Sequence, residues 1–328
     1  MKFSCNRRTA LALLCAAGAG GASAQPAHRA YPTDTVKIVV PFGAGGLTDI
    51  LARSIAQQLS ARLGQSFVVE NKTGASGNIG ADYVARSKPD GQTLLMGSIG
   101  TNAVNAHLFS KMPYDTLKDF TPVSMVASGT LMLVTNAEKV PARDLRELIA
   151  LAKSHPGSLT YASGGPGASQ HLAGELFKTM AGIDIVHVPY RGVAPGVNDL
   201  VAGQVSMTFD LATVAPHLKT GKLRGIAVAN AKRTPAFPDV PTMAEAGLPG
   251  YEASAWYGLF APAGTPADVI AVLNAEVNRA LADAELRKRL LTLGAEPAGG
   301  TPQEASRFVQ SEYRKWGDVV KKANIRLD

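Results

Sequence analysis

The chain has 328 residues, 46% hydrophobic, 18% charged and 6% aromatic, with a formal charge of +7. At roughly 150 residues per domain this length predicts two lobes, each able to bury an ordinary core, and the hydrophobic content excludes a disordered chain. The 33 Gly and 20 Pro follow no period, which excludes collagen-like and low-complexity readings.

The first segment reads as an address. Lys2, Arg7 and Arg8 precede the apolar run Leu11 to Ala19, and Ala22-Ser23-Ala24 follows before Gln25. A charged region, an apolar region and an A-x-A-like site together predict a signal peptide over residues 1–24, cleaved after Ala24, and hence export to the periplasm. The apolar run is far short of the ~20 residues that a bilayer span needs. No later segment is both long enough and free of charge, so an integral membrane protein is excluded. Arg7-Arg8 leaves both the general and the twin-arginine export routes open.

Both cysteines, Cys5 and Cys15, lie in this segment. The exported chain is therefore expected to have no disulfide, thiol nucleophile or Cys-ligated metal. Losing residues 1–24 removes three cations and no acid, which lowers the formal charge from +7 to +4. The remaining Lys and Arg are dispersed, and acids interrupt the densest group, Arg287-Lys288-Arg289. No basic face with interleaved aromatics is present, so nucleic acid is not an expected partner.

From residue 36 the pattern becomes strand–helix–strand. Val36 to Val40 reads as a buried strand. Leu51, Ile55, Leu59 and Leu63 recur every four residues, a helix from Leu47 that Gly64 stops. Ser66 to Glu70 reads as a strand, 77–87 as a helix and Thr93 to Gly97 as a strand. After about residue 130 the alternation restarts, with strands at 131–134, 159–162, 185–188, 205–209 and 225–228 and helices at 143–153 and 168–181. The apolar stretch Ala255 to Phe260 follows, then helices at 266–282, 283–293 and 303–322. This alternation predicts parallel sheets with covering helices. The helical tail needs a sheet face, so the chain is expected to return to its first lobe. The expected division is 25–128 and 255–328 in lobe 1 and 129–254 in lobe 2, with crossings near 128 and 254.

Two glycine turns sit between a strand and a helix: Pro41-Phe42-Gly43-Ala44-Gly45-Gly46 and Ser163-Gly164-Gly165-Pro166-Gly167-Ala168-Ser169. Such turns present unpaired backbone N–H groups and the positive end of a helix dipole. Ser163 or Ser169 adds a hydroxyl donor. One turn alone is equally well explained as a tight connection. Two of them, one per lobe, predict a cleft suited to a small carboxylate or dicarboxylate.

A dinucleotide site is disfavoured. Gly43-Ala44-Gly45 begins a G-x-G-x-x-G, and Glu70 follows at a suitable distance. However, Thr48 stands at the third glycine, and Asp49 opposes a pyrophosphate unless it serves as a cap. Catalytic signatures are missing too. The six histidines form no close ligand pair. Ser169 and His171 are two residues apart on one helix and do not face each other. Gly167-Ala168-Ser169-Gln170-His171 lacks the second glycine of a nucleophile elbow. Asp210, at the end of the strand 205–209, is placed either to receive a ligand group or to cap the following helix. Trp256 and Tyr257 read as hinge-side core.

The motifs then carry a resemblance. They are Pro41 to Asp49 with Ala52-Arg53, Glu70 to Gly77, Lys88-Pro89-Asp90-Gly91, His187 to Gly192, Pro241 to Gly247 and Trp256 to Pro262. Together, across nearly the whole exported chain, they resemble the Bug-type, or tripartite tricarboxylate transporter (TctC-like), periplasmic substrate-binding proteins. The resemblance implies a two-lobed α/β fold of the type II-like, Venus-flytrap kind. It implies a monomeric receptor with no enzymatic activity and no cofactor or metal. The first-lobe turn, here Phe42 to Thr48 with Phe42, Ala44, Gly45, Gly46 and Thr48 as contacts, is implied to hold one ligand carboxylate, partly through water, and the loop Ser98-Ile99-Gly100-Thr101, through Ser98 and Thr101, to complete that wall. The second lobe is implied to add Ser163, Gly165, Ala168, Ser169, Gln170, Tyr190, Arg191, Gly192 and Asp210. Implied partners are a small carboxylate and either the membrane components of a tripartite tricarboxylate transporter or a sensor protein. A secreted hydrolase is the remaining class, and it lacks a nucleophile–base pair.

Overall fold

The computed structural model describes residues 31–323 together with Met1 and Arg326, so the signal peptide expected over residues 1–24 lies, beyond Met1, outside the described residues. The elements run β1 Val36–Val40, α1 Leu47–Leu63, β2 Phe67–Asn71, α2 Asn78–Ala85, β3 Thr93–Ser98, α3 Asn105–Leu108, β4 Phe120–Gly129 and β5 Met132–Asn136. They continue through α4 Leu145–Ser154, β6 Thr160–Ser163, α5 Ser169–Ala181, β7 Val186–Pro189, α6 Val193–Val201, β8 Met207–Phe209, α7 Ala215–Lys219 and β9 Leu223–Val228. The last are β10 Ala255–Pro262, α8 Ala267–Ala282, α9 Ala284–Thr292, β11 Ala295–Gly299 and α10 Pro302–Ala323.

Two sheets result, ordered β11-β4-β10-β3-β1-β2 and β7-β6-β8-β5-β9. The fold is thus two-lobed α/β. The sheets are not purely parallel, as the alternation predicts, but mixed. β1 pairs parallel with β2 and β3, whereas β10 runs antiparallel to β3 and β4, and β11 antiparallel to β4. In the second sheet β6 is parallel to β7 and β8, and β5 is antiparallel to β8 and β9. The long strand β4 lies in a stretch where periodicity predicts no element. It is the antiparallel spine between β10 and β11, and strand direction is set by long-range pairing rather than by local pattern.

The helical tail covers the first sheet. Trp256 in β10 is 2% exposed, and its Nε1–H donates to Glu312 Oε2 of α10 at 3.0 Å. Trp316 Nε1–H donates to the same oxygen at 3.1 Å. One buried carboxylate thereby satisfies two indoles that pack α10 onto β10. The connections between the sheets are tied together: Ala229 N–H donates to Leu131 O at 2.7 Å and Ala253 N–H to Ala229 O at 2.9 Å. The segments that follow β1, β3, β6 and β7 come together on one cavity between the sheets.

Candidate functional site

The first turn is locked from behind. Gly46 is the N-cap of α1, extended at φ −78° and ψ 167°, and no side chain caps it. Asp49, at the third helical position, is 4% exposed. Its Oδ2 accepts from Gly45 N–H at 3.1 Å and from Arg53 Nε–H at 2.9 Å; its Oδ1 accepts from Arg53 at 2.9 Å and from Asn71 Nδ2–H at 3.0 Å. Asn71 also donates to Phe42 O at 3.0 Å. Burial alone raises the Asp49 pKa, but the donors of Arg53, Gly45 and Asn71 outweigh it and hold the carboxyl below its usual range. The charge that counts against a phosphate site is thus spent on the turn, and the N–H groups of Gly46, Leu47 and Thr48 keep no intrahelical acceptor.

The second turn is braced by histidines. Ala168 is the N-cap of α5, again extended and without a side-chain cap. Gly167 N–H donates to His171 Nδ1 at 3.1 Å. Ser163 Oγ donates to Gly165 O and accepts from Gly165 N–H, both at 3.1 Å, and meets His187 Nε2 at 2.6 Å. The His171 and His187 rings stack at 4.2 Å, and Tyr161 stacks on His187 at 4.9 Å. Burial lowers both histidine pKa values to about 4, so both rings are neutral at pH 7.

The two turns close on one cavity of about 480 Å³, solvent at its mouth included. Gly46, Leu47 and Thr48 line it from α1, and Ala168, Ser169 and Gln170 from α5. These are the N-cap and the first two helical positions of each helix. The rest of the wall is Phe42, Gly43, Ser98, Ile99, Gly164, Gly192, Val193 and Tyr257. No ionisable acid or base except the Tyr257 phenol is among these residues. An anion held here is met by backbone dipoles and hydroxyls rather than by a cationic side chain. Between the two helix ends the walls are apolar, at Phe42, Leu47, Ile99 and Val193.

The sequence-derived candidates divide into three groups. Phe42, Gly46, Thr48, Ser98, Ala168, Ser169, Gln170 and Gly192 line this cavity. Gly165, Tyr190 and Arg191, with Phe42 and Gly192, line the adjoining mouth. Tyr190 donates to Asp199 Oδ2 at 2.7 Å; burial and this bond push its pKa up to about 12. Ala44, Gly45, Thr101, Ser163 and Asp210 line neither. Thr101 is fully buried and accepts from Ser98 N–H at 3.1 Å, so it shapes the loop after β3. Asp210 sits behind the wall, where Thr213 N–H donates to its Oδ2 at 2.9 Å, the Thr213 hydroxyl bonds the same oxygen, and Gln170 also hydrogen-bonds it. These bonds close the turn before α7, whose N-cap is Val214 without a side-chain cap, so Asp210 does not cap that helix. Burial raises its pKa.

Gly43, Leu47, Ile99 and Gly164 line the cavity from within the two glycine turns and the loop after β3 that the sequence singles out, whereas Val193 and Tyr257 are missed. Tyr257 is buried in the core, as expected, and lines the cavity as well. Strand residues alternate faces, so Trp256 points to α10 and Tyr257 to the cavity, where it bonds Ser169. The alternation within Ala255 to Phe260 is the one signal that separates the two. Among the described residues no group of three or more His, Cys, Asp or Glu could hold a metal, and no helix is long and apolar enough to cross a membrane.

Comparison with known proteins places this cavity in a family. Residues 51–325 match the model of the tripartite tricarboxylate transporter family receptor. The chain is 38% identical over 309 residues to protein BugT of Bordetella pertussis, covering 94% of each. Among solved structures it is similar to R. palustris Rpa4515 with adipate, at 43% identity and a TM-score of 0.87, over 90% of this chain and 99% of that one. It is also similar to MatC from Rhodopseudomonas palustris with bound malate, at 39% identity and a TM-score of 0.84, over 88% of this chain and all of that one. The chain belongs to the tripartite tricarboxylate transporter receptor family, whose members are solute-binding receptors and not enzymes.

Proposed function

We propose that the protein is a periplasmic receptor for a small carboxylate, best a dicarboxylate with an apolar spacer, which it delivers to a tripartite tricarboxylate-type transporter. One observation carries this reading: the starts of α1 and α5 face the same cavity from opposite sides, each with its capping positions in the wall. Each helix start offers donors to one carboxylate, and the apolar strip of Phe42, Leu47, Ile99 and Val193 suits the carbons between. Adipate and malate in the two similar structures support the same ligand class. The mature receptor begins at Gln25 and acts as a monomer. Its lobes are 25–128 with 255–328 and 129–254, and the cleft between them closes on the ligand by a hinge.

The test is a thermal-shift screen of mono- and dicarboxylates, beside native mass spectrometry of the purified protein. At a ligand concentration a thousandfold above its dissociation constant, stabilisation should approach about 4 kcal/mol. Adipate should shift the melt more than malate, whose hydroxyl would face the apolar strip. A screen in which neutral sugars stabilise and no carboxylate does would refute the anion clamp.

A further inference from the structure

The walls of the cleft touch backbone to backbone at two points. A Cβ built on Gly43, in the turn after β1, would lie 2.7 Å from Arg191 O and 3.6 Å from Gly192 Cα, in the turn after β7. A Cβ on Gly100, in the turn after β3, would lie 2.7 Å from Gly167 O, in the turn after β6. Neither glycine has a positive φ, so neither is needed for its own turn's conformation. Within its own lobe Ser98 Oγ lies at an ordinary 3.6 Å from the Gly100 Cβ, well beyond the 2.7 Å to the opposite carbonyl. The clash in each case is with a carbonyl of the other sheet's turn, and a carbonyl in a packed turn has no room to yield. Among the described residues neither contact is a hydrogen bond. Asn105 Oδ1, also against Gly167, is buried there with no donor. The seam therefore fits closely without sealing itself.

We infer that Gly43 and Gly100 are positioning residues for closure: each omits a side chain so that the opposite turn's carbonyl can seat, and they set ligand affinity through the closed state. Gly100 does this without lining the ligand cavity, and Gly43 lines it as well. The inference rests on the receptor reading above. An alanine at either position leaves each lobe intact and wedges the cleft open.

The experiment compares wild type, Gly100→Ala and Gly43→Ala by calorimetric titration with adipate and with malate, by small-angle scattering with and without these acids, and by melting of the ligand-free proteins. The expected result is at least tenfold weaker binding in both variants, no ligand-induced fall in the radius of gyration, and ligand-free melting no lower than wild type. Variants that bind and compact like wild type overturn the inference. So do variants that melt early, because the clash would then lie within a lobe. If wild type binds neither acid, the receptor reading fails for these ligands. The inference is then decided on the ligand-free scattering: a wild type more compact than both variants supports it, and equal radii overturn it.

Discussion

Lowering the pH from 7.5 to 5 should destabilise the folded protein, and His171→Asn should remove much of that loss. His171 is 4% exposed, and burial takes its pKa from the ordinary 6.5 to about 4. Its neighbours are the His187 ring stacked at 4.2 Å and Lys178, whose charge adds to the lowering, while Glu175 opposes it at His187. Between pH 6.5 and 4 the unfolded chain takes a proton that the folded protein refuses. The stability is therefore fully present above pH 6.5, falls as the pH drops, and levels off below about pH 4. At pH 5 this single group costs about 2 kcal/mol, or about 8 °C of melting temperature for a unit the size of the lobe that holds it. His187 acts in the same direction, but two stacked imidazolium charges repel, so the two contributions do not simply add. An Asn at 171 keeps an acceptor for Gly167 N–H and does not titrate. Asp210, with a raised pKa, works in the opposite sense, and Asp49, with a lowered one, matters only below the usual carboxylate range. Both are common to wild type and variant and cancel in the difference. Melting at pH 7.5 and pH 5, followed by circular dichroism, reads the effect. An equal loss in wild type and variant would refute the assignment, because His171 would then not be the group that charges.

Gly46→Val should weaken ligand binding at least tenfold, about 1.4 kcal/mol, with little change in melting. The Gly46 backbone is extended rather than left-handed, and a Cβ there meets only Val193 Cγ2 at 3.8 Å, so the added methyls project into the cavity instead of straining the turn. Early melting with unchanged affinity would show that this glycine serves the turn alone. Asp49→Ala should cost about 1–3 kcal/mol in chemical denaturation, since it strands the Gly45 N–H and both Arg53 bonds. A loss under about 0.5 kcal/mol would mean that water replaces the carboxylate without penalty. Asp210→Asn should leave adipate affinity within about threefold, because the Asp210 carboxylate bonds Thr213 and Gln170 behind the wall rather than the cavity. A loss of two orders of magnitude in calorimetry would place that carboxylate on the ligand.

What the sequence determined by itself is local. The four-residue spacing of Leu51, Ile55, Leu59 and Leu63 marks α1, and Gly64 ends it in the left-handed conformation at φ 68°. The two glycine turns announce helix starts open to an anion because glycine content and helix periodicity sit side by side in the chain. Those marks suffice to anticipate two α/β lobes and the two strips of backbone that line the cavity; the receptor reading comes from the family resemblance of the motifs. Tertiary structure decided whatever depends on partners far away in sequence. The antiparallel seating of β4 between β10 and β11 follows from pairing across more than a hundred residues, which no periodicity encodes. Trp256 and Tyr257 are equally apolar neighbours, and only the sheet assigns one to α10 and the other to the cavity. The contacts of Gly43 with Arg191 and of Gly100 with Gly167 join turns from different sheets, and a glycine met in a sequence carries no mark of which backbone it admits. Capping, periodicity and turn chemistry act within a few residues; packing density acts between surfaces that meet only after the chain has folded, and that is where the site acquired its shape.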